Sequence, residues 1–305
     1  MKILVSPSSF GECGSEPLNI LEKNNYEIIE NPYGRKLTET EVIEIGRDCV
    51  GIVAGVEPLN KNVLENLPLL KCISRVGVGM DNVDLEYAKS KGIIVRNTPD
   101  GPTRPVAELT IGLTFALLKK ISIADKNLKN HVWKKEIGNL IFKKKVGIFG
   151  LGRIGKMVAG MFNAFGTELI GYDLFPDHGW AEKNNLTIVD KETLFKFSDI
   201  ITLHVPGNSD KSHVIGKHEL DLMNPNSFLI NISRGGVVDE TMLYEYLKEG
   251  KIAGAAIDVF KNEPYSGNLT ELNNVVLTPH LGSYAAEAKL QMEVDAVNNL
   301  IESLQ

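Results

Sequence analysis

Lys145-Val146-Gly147-Ile148-Phe149-Gly150-Leu151-Gly152-Arg153-Ile154-Gly155 is the stretch on which the reading of this chain turns. An apolar run of strand length leads into a loop with glycine at its first, third and sixth positions, and a helical pattern follows. The first glycine permits a tight turn, the second lets a ligand approach the backbone, and the third lets the helix lie against the strand. N–H groups at the start of such a helix suit a pyrophosphate. The next strand, Glu168–Tyr172, runs into Asp173. A carboxylate there can accept hydrogen bonds from a ribose diol and would repel a 2′-phosphate, so the loop predicts a dinucleotide, NAD in preference to NADP. Gly150 to Lys156 also has the spacing of a phosphate-binding P-loop, but Met157 stands where that loop needs a hydroxyl for magnesium.

Outward from the loop, short β-branched runs alternate with helical patterns over nearly the whole chain. In the first part, strands are expected at Ile3–Val5, Tyr26–Ile29, Val50–Ala54, Cys72–Arg75 and Ile93–Arg96, with helices at Glu39–Gly46, Asn60–Leu67 and Leu85–Lys91. In the second, strands are expected at Val146–Phe149, Glu168–Tyr172, Ile200–His204, Phe228–Asn231, Ala255–Val259 and Val275–Thr278. Such alternation builds parallel sheets from βαβ units, and continuous apolar runs fit strands covered on both faces. Two longer helices stand apart. One is capped by Thr103, with Pro105 in its first turn and Val106, Leu109, Leu113 and Leu117 on one face. The other closes the chain with Leu290, Val294, Val297, Ile301 and Leu304 in the same spacing.

The composition excludes several classes. With 33 basic against 39 acidic residues the 305-residue chain carries a formal charge of −6, which argues against a nucleic-acid partner. No apolar run reaches the ~20 residues of a membrane span, and Met1–Pro7 is too short in apolar residues for a signal peptide. Cys13, Cys49 and Cys72 are odd in number and form no CxxC pair, so they read as buried thiols of a cytoplasmic protein. No HExxH or similar spacing appears, and no catalytic metal is expected.

Further motifs carry a resemblance. In order they are Arg75-Val76-Gly77-Val78-Gly79-Met80-Asp81-Asn82, Asn97-Thr98-Pro99, Val106-Ala107-Glu108 and the glycine loop. Then come His204-Val205-Pro206, Asn231-Ile232-Ser233-Arg234-Gly235-Gly236, Asp258-Val259-Phe260, Glu263-Pro264 and Pro279-His280-Leu281-Gly282. Their order and spacing resemble the D-isomer-specific 2-hydroxyacid dehydrogenases, closest in motif to phosphoglycerate dehydrogenases. With Gln305 as its last residue, the sequence is not expected to have the regulatory extension that some of those carry, nor feedback control through it.

The resemblance implies an α/β fold of two doubly wound, Rossmann-like parallel-sheet domains with an active-site cleft between them. Residues 1–97 plus 283–305 would bind substrate and residues 98–282 would bind NAD. It implies a homodimer joined through the helical segment near 104–140. It also implies a catalytic set of Arg234, Glu263 and His280. Reduction of a ketone leaves an alkoxide that needs a proton, and an imidazole titrating at about 6.5 is suited to give one. Glu263 would fix the ring, and Arg234 would grip the substrate carboxylate and polarise the keto oxygen. The N–H groups of Val76, Gly77, Val78 and Gly79, with Arg75 beside them, would form an anion nest for the same carboxylate. Cofactor contacts are implied for Thr103, Gly150, Gly152, Arg153, Ile154, Gly155, Asp173, His204, Val205, Pro206, Ile232, Asp258 and Gly282. Among these, Asp258 would orient the nicotinamide carboxamide, while Val205 and Pro206 would wall the adenine. His131, His178, His213 and His218 match no motif and are assigned to surface or structural roles.

The expected reaction is reversible hydride transfer between NAD(H) and a small 2-hydroxy or 2-keto acid. The leading substrate is 3-phosphoglycerate, with Arg75 and Lys134-Lys135 as cations for its phosphate. Ala54-Gly55-Val56, however, occupies a strand end where those enzymes usually offer another Arg. Glyoxylate, hydroxypyruvate or another 2-keto acid is the alternative. A reading of another class is an NADH-sensing binding protein or co-repressor on the same scaffold. A methyltransferase using the glycine loop would leave Arg234, Glu263 and His280 unexplained.

Overall fold

The computed structural model describes residues 1–208 and 212–305. The chain divides into two compact units, Met1–Pro102 with Ser283–Gln305, and Thr103–Gly282. The boundary read from sequence after residue 97 falls at the end of a strand of the first unit. Among the described residues, no helix is long and apolar enough to cross a membrane.

The first unit is built on five parallel strands: β1 (Lys2–Val5), β2 (Glu27–Glu30), β3 (Cys49–Ala54), β4 (Cys72–Arg75) and β5 (Ile94–Asn97), in the order β2-β1-β3-β4-β5. Helices α1 (Glu16–Lys23), α2 (Glu39–Gly46), α3 (Lys61–Glu65) and α4 (Leu85–Ser90) connect them. Side chains alternate across the pleat. Leu4, Ile52 and Ile73 face Val42, Val63 and Ala88 of α2, α3 and α4. Ile3, Val53 and Cys72 face Leu21 of α1 and the closing helix on the other side. Helix starts follow local chemistry: Thr38 and Glu41 form a capping box, and Asn60 and Asp84 accept the N–H groups of Val63 and Tyr87. Strand order reverses between β1 and β3, so the chain leaves their C-terminal ends toward opposite faces and opens a crevice there.

The second unit begins with α5 (Thr103–Leu118) and α6 (Ile121–Lys129), then β6 (Lys145–Phe149), α7 (Arg153–Ala164), β7 (Glu168–Tyr172), α8 (His178–Lys183) and β8 (Leu186–Ile188). It continues with α9 (Lys191–Phe197), β9 (Ile200–Leu203), α10 (Lys217–Leu222), β10 (Phe228–Asn231), α11 (Glu240–Lys248), β11 (Gly254–Ile257) and β12 (Val275–Leu277). All seven strands are parallel in the order β12-β11-β10-β9-β6-β7-β8, which reverses between β6 and β9. The fully buried run Ile200–Leu203 occupies the centre of this sheet.

Three sequence expectations shift. Thr103 is the first helical residue rather than a cap. The edge strand β8 has only Leu186 buried, too little for a readable alternation. The closing helix α12 (Ala286–Leu304), which belongs to the first unit, buries Met292, Ala296, Val297, Leu300 and Ile301 and also Glu293. That face is rotated from the Leu290–Val294 stripe because Glu293 is held inside, 2.9 Å from Lys289 Nζ and 3.1 Å from the Gly11 N–H.

Candidate active site

Strand β6 ends at Phe149, and the chain turns at Gly150 with φ +98°. A Cβ on Gly150 would lie 2.5 Å from the His204 carbonyl oxygen, and one on Gly155 would lie 1.9 Å from the Gly150 carbonyl oxygen. The turn itself therefore requires these two glycines. Gly152 differs: among the described residues, nothing lies within 4 Å of the place its Cβ would take. It caps α7 without a side chain, so no side-chain cap occupies the first turn of that helix. Asp173, just past β7, accepts the Leu151 N–H at 2.7 Å and the Phe175 N–H at 2.9 Å. The loop thus offers an accessible backbone for a pyrophosphate and a fixed carboxylate for a ribose, and these residues fit NAD.

On the other half of the same sheet edge, β10, β11 and β12 lie side by side and deliver three loops. Asn231, the last residue of β10, accepts the Ser233 N–H at 3.1 Å and its hydroxyl at 2.7 Å, and donates to the Arg234 carbonyl at 3.3 Å. Arg234 projects from the turn so formed, with Nη1 donating to the Ser233 carbonyl at 2.8 Å. The next residue must be glycine, because a Cβ on Gly235 would lie 1.9 Å from the Phe260 carbonyl oxygen. The Phe260 N–H in turn donates to Glu263 Oε1 at 3.0 Å, and Glu263 Oε2 lies 2.9 Å from His280 Nδ1. The Arg234 turn therefore rests on the loop that anchors Glu263, and Glu263 holds His280.

His280 has φ +57°, a conformation that costs a non-glycine residue on the order of 1–3 kcal/mol. Its N–H donates to the Asp258 carbonyl at 2.8 Å and the Thr278 carbonyl at 3.0 Å, which pins the backbone. The carboxylate of the fully buried Asp258 accepts the Thr278 hydroxyl at 2.5 Å, the Leu281 N–H at 2.7 Å and the Gly282 N–H at 2.9 Å. These bonds tie Asp258 to the loop that carries His280, and Oδ2, which accepts only the Gly282 N–H, keeps acceptor capacity for the carboxamide expected there. Nδ1 faces the Glu263 carboxyl, and Nε2 is the ring nitrogen on the far side from it. The His280 side chain is 53% exposed, open to a reacting partner.

The remaining expected cofactor residues divide into wall and scaffold. His204 Nε2 lies 2.9 Å from the Thr202 hydroxyl, and burial pushes the imidazole down to about 3, so the ring is neutral. Its backbone carbonyl, not its ring, meets Gly150. Ile232 is a core residue packed with Ile148 and Ile230. Val205 and Pro206 lie past the end of β9, the former half-buried and the latter exposed. Arg153 is exposed at the start of α7, and Ile154 packs partly against the core. Gly282 is enclosed by Val106 and Asp258, which brings the first turn of the Thr103 helix against the His280 loop.

In the first unit, the loop after β4 departs from the expected four-residue nest. The Val76 N–H continues the ladder to the Ala54 carbonyl at 2.8 Å, and the Gly77 N–H donates to the Thr98 hydroxyl at 2.7 Å. Only the Val78 and Gly79 N–H groups donate to nothing among the described residues. Arg75 folds over its own turn, with Nη1 donating to the Val76 carbonyl. A Cβ on Gly77, at φ +125°, would overlap that guanidinium at 1.6 Å. Arg75 thus secures the loop. Lys134, the other expected phosphate cation, pairs with Glu136 at 2.7 Å.

Sequence reasoning gave no role to Asn231 and Thr278, although both are polar residues closing apolar strand runs. It also overlooked Glu57, which is 2% exposed at the end of the loop after β3.

Comparison with known proteins places the chain. Residues 111–282 match the model of the D-isomer specific 2-hydroxyacid dehydrogenase NAD binding domain. The chain is 42% identical over 279 residues to a D-3-phosphoglycerate dehydrogenase of Methanocaldococcus jannaschii, covering 90% of this chain and 52% of that protein. It thus spans about half the length of that relative. It is 44% identical over 255 residues to a glyoxylate reductase of Thermococcus litoralis, covering 80% of this chain and 77% of the relative. A D-lactate dehydrogenase of Aquifex aeolicus, solved with NAD and lactic acid, superposes with a TM-score of 0.84 at 25% identity, over 100% of this chain and 95% of that one. With the motifs in family order and the Glu263–His280 pair formed, the chain belongs to the D-isomer-specific 2-hydroxyacid dehydrogenase family.

Proposed function

We propose that the chain catalyses NAD-dependent, reversible interconversion of a small D-2-hydroxy acid and its 2-keto acid, with Arg234, Glu263 and His280 as the working side chains. The observation that carries this reading is the 2.9 Å bond from His280 Nδ1 to Glu263 Oε2 on the sheet edge that also bears the open glycine loop. Bound NAD supplies the nicotinamide that carries the hydride. His280 holds on Nε2 the proton exchanged with the hydroxyl oxygen, and Glu263 fixes the ring. Arg234 binds the carboxylate and polarises the keto oxygen. The glycine loop and the start of α7 bind the pyrophosphate, and Asp173 binds the ribose. In the first unit, taken by itself, the Val78 and Gly79 N–H groups suit an anion.

The test is His280→Asn, assayed with a panel of 2-keto acids and NADH. Turnover should fall about 10²–10⁴-fold, while NADH affinity by fluorescence titration stays within about twofold. Unchanged turnover would remove His280 from the reaction.

The same unit exposes an apolar segment beyond α5, with Trp133 82%, Ile137 89% and Leu140 68% exposed. A soluble monomer does not keep such a face in water without a role, and we propose that two copies bury it in a homodimer. Sedimentation velocity should return a dimer, and Trp133→Ser a weaker one; a wild-type monomer at micromolar concentration refutes the pairing.

A further inference from the structure

The buried carboxyl of Glu57 has no part in the chemistry above, and it sits at the point where the first sheet reverses its strand order. Three pieces of chain converge on it. From the end of β1, the Ser6 hydroxyl donates to Glu57 Oε1. From the end of β3, the Gly55 N–H donates to Oε1 at 3.1 Å and Oε2 at 3.0 Å. From the loop after β4, Asn82 Nδ2 donates to the Glu57 carbonyl at 2.6 Å and the Gly55 carbonyl at 3.3 Å, which holds the turn in place. In open α/β sheets, the C-terminal ends of the strands on either side of such a reversal are where ligands bind, often through anionic groups on backbone N–H and hydroxyl donors. Here those donors are taken by a side chain of the protein itself.

The neighbours give that carboxyl a consequence. Ala54 and Arg75 are direct register partners on β3 and β4, and the Arg75 charge acts on Glu57. The Val76 N–H donates to the Ala54 carbonyl, so the loop bearing Val78 and Gly79 starts one residue from the Glu57 turn. Val56, between Gly55 and Glu57, is 55% exposed and presents an apolar surface at the same edge. An anion arriving here meets a carboxyl already seated on the donors, an arginine whose field that carboxyl offsets, and an isopropyl group.

We propose that Glu57 is a specificity-determining residue that occupies the anion position of the first unit, so that the enzyme selects 2-keto acids with one anionic group and rejects those carrying a second, such as a phosphate. This rests on the reading of the chain as a 2-keto acid reductase. It refines that reading, and it moves the substrate from 3-phosphoglycerate toward acids of the glyoxylate and hydroxypyruvate kind. Glu57 acts by position and charge and touches no reacting atom.

The experiment compares hydroxypyruvate with 3-phosphohydroxypyruvate in the wild type, Glu57→Gln and Glu57→Asp. Wild type should favour hydroxypyruvate in kcat/KM. Glu57→Gln keeps the shape and removes the charge. It should improve kcat/KM for the phosphorylated acid about 10–100-fold, the range of one charge-assisted contact, through KM and not kcat. Hydroxypyruvate should change less than about threefold, and Glu57→Asp should return the preference toward wild type. Binding of 3-phosphoglycerate, measured by calorimetry without turnover, should tighten by the same factor in Glu57→Gln. A wild type that already prefers the phosphorylated acid overturns the proposal even if no variant folds, and so does a Gln variant with an unmoved ratio and unmoved phosphoglycerate affinity. If the wild type turns over neither acid, the reductase reading fails instead, and the calorimetric comparison still decides the role of Glu57.

Discussion

Two glutamates stand at the C-terminal edges of the two sheets, and their surroundings are opposite. Glu263 keeps 38% of its side chain exposed and bonds one backbone N–H and one imidazole that is itself half in solvent. Glu57 is 2% exposed and bonds a hydroxyl and a backbone N–H inside the protein. A carboxylate beside an exchangeable proton must keep its partner free to meet a substrate, so the loop carrying His280 is braced by Asp258 and the ring is left open to solvent. A carboxyl sealed among fixed donors cannot pass a proton to a substrate. It can only set the shape and charge of its surroundings. The residue type is shared, and solvent access decides which role each can take.

Substituting the same amide at each position breaks the comparison apart. Glu263→Gln should have the larger effect: Gln retains an acceptor for the Phe260 N–H but presents a neutral amide to His280 Nδ1. Turnover should fall about 10²-fold, toward the lower end of what acid–base catalysis supplies, and Glu263→Asp should recover part of it. The melting temperature should hardly move, because both partners are exposed and such pairs contribute little to stability. Full activity in Glu263→Gln means that the backbone pins at His280 already orient the ring unaided.

How far each glutamate could be read beforehand follows from its chemistry. The glycine loop was legible because a turn at φ +98°, a helix packed against its own entry strand and an open backbone each leave a glycine at fixed spacing. Most strands were legible within a residue or two, since apolar runs bounded by turns mark buried parallel strands. Glu263 and His280 became readable through the order of motifs around them; the bond between them spans loops after two different strands and has no local signature. The three donors that Asp258 accepts from the His280 loop could not be read from spacing, because they reach it across two strand ends. Glu57 left no trace at all, because a Glu before Pro58 in a short loop has the pattern of a solvated turn. Only the register of β1, β3 and β4 brings Ser6, Gly55 and Arg75 around it.

The smaller effect belongs to Glu57→Gln and is read in stability against pH. Burial raises the Glu57 carboxyl above the ordinary carboxylate range, opposed by the Ser6 and Gly55 hydrogen bonds and by the Arg75 charge. In the unfolded chain the group ionises near 4.3. With the native value raised, the folded state holds the proton longer than the unfolded state does. The wild type therefore keeps its full stability from this group below the unfolded value and loses it as pH rises through the native one. Glutamine has no proton to lose. The melting temperature of Glu57→Gln relative to wild type should thus be lowest or equal in acid and should rise as pH increases through the native value of the carboxyl. A difference that stays constant over that range means that Ser6, Gly55 and Arg75 fully compensate the buried charge, and the two glutamates then differ in access alone and not in the cost of ionisation.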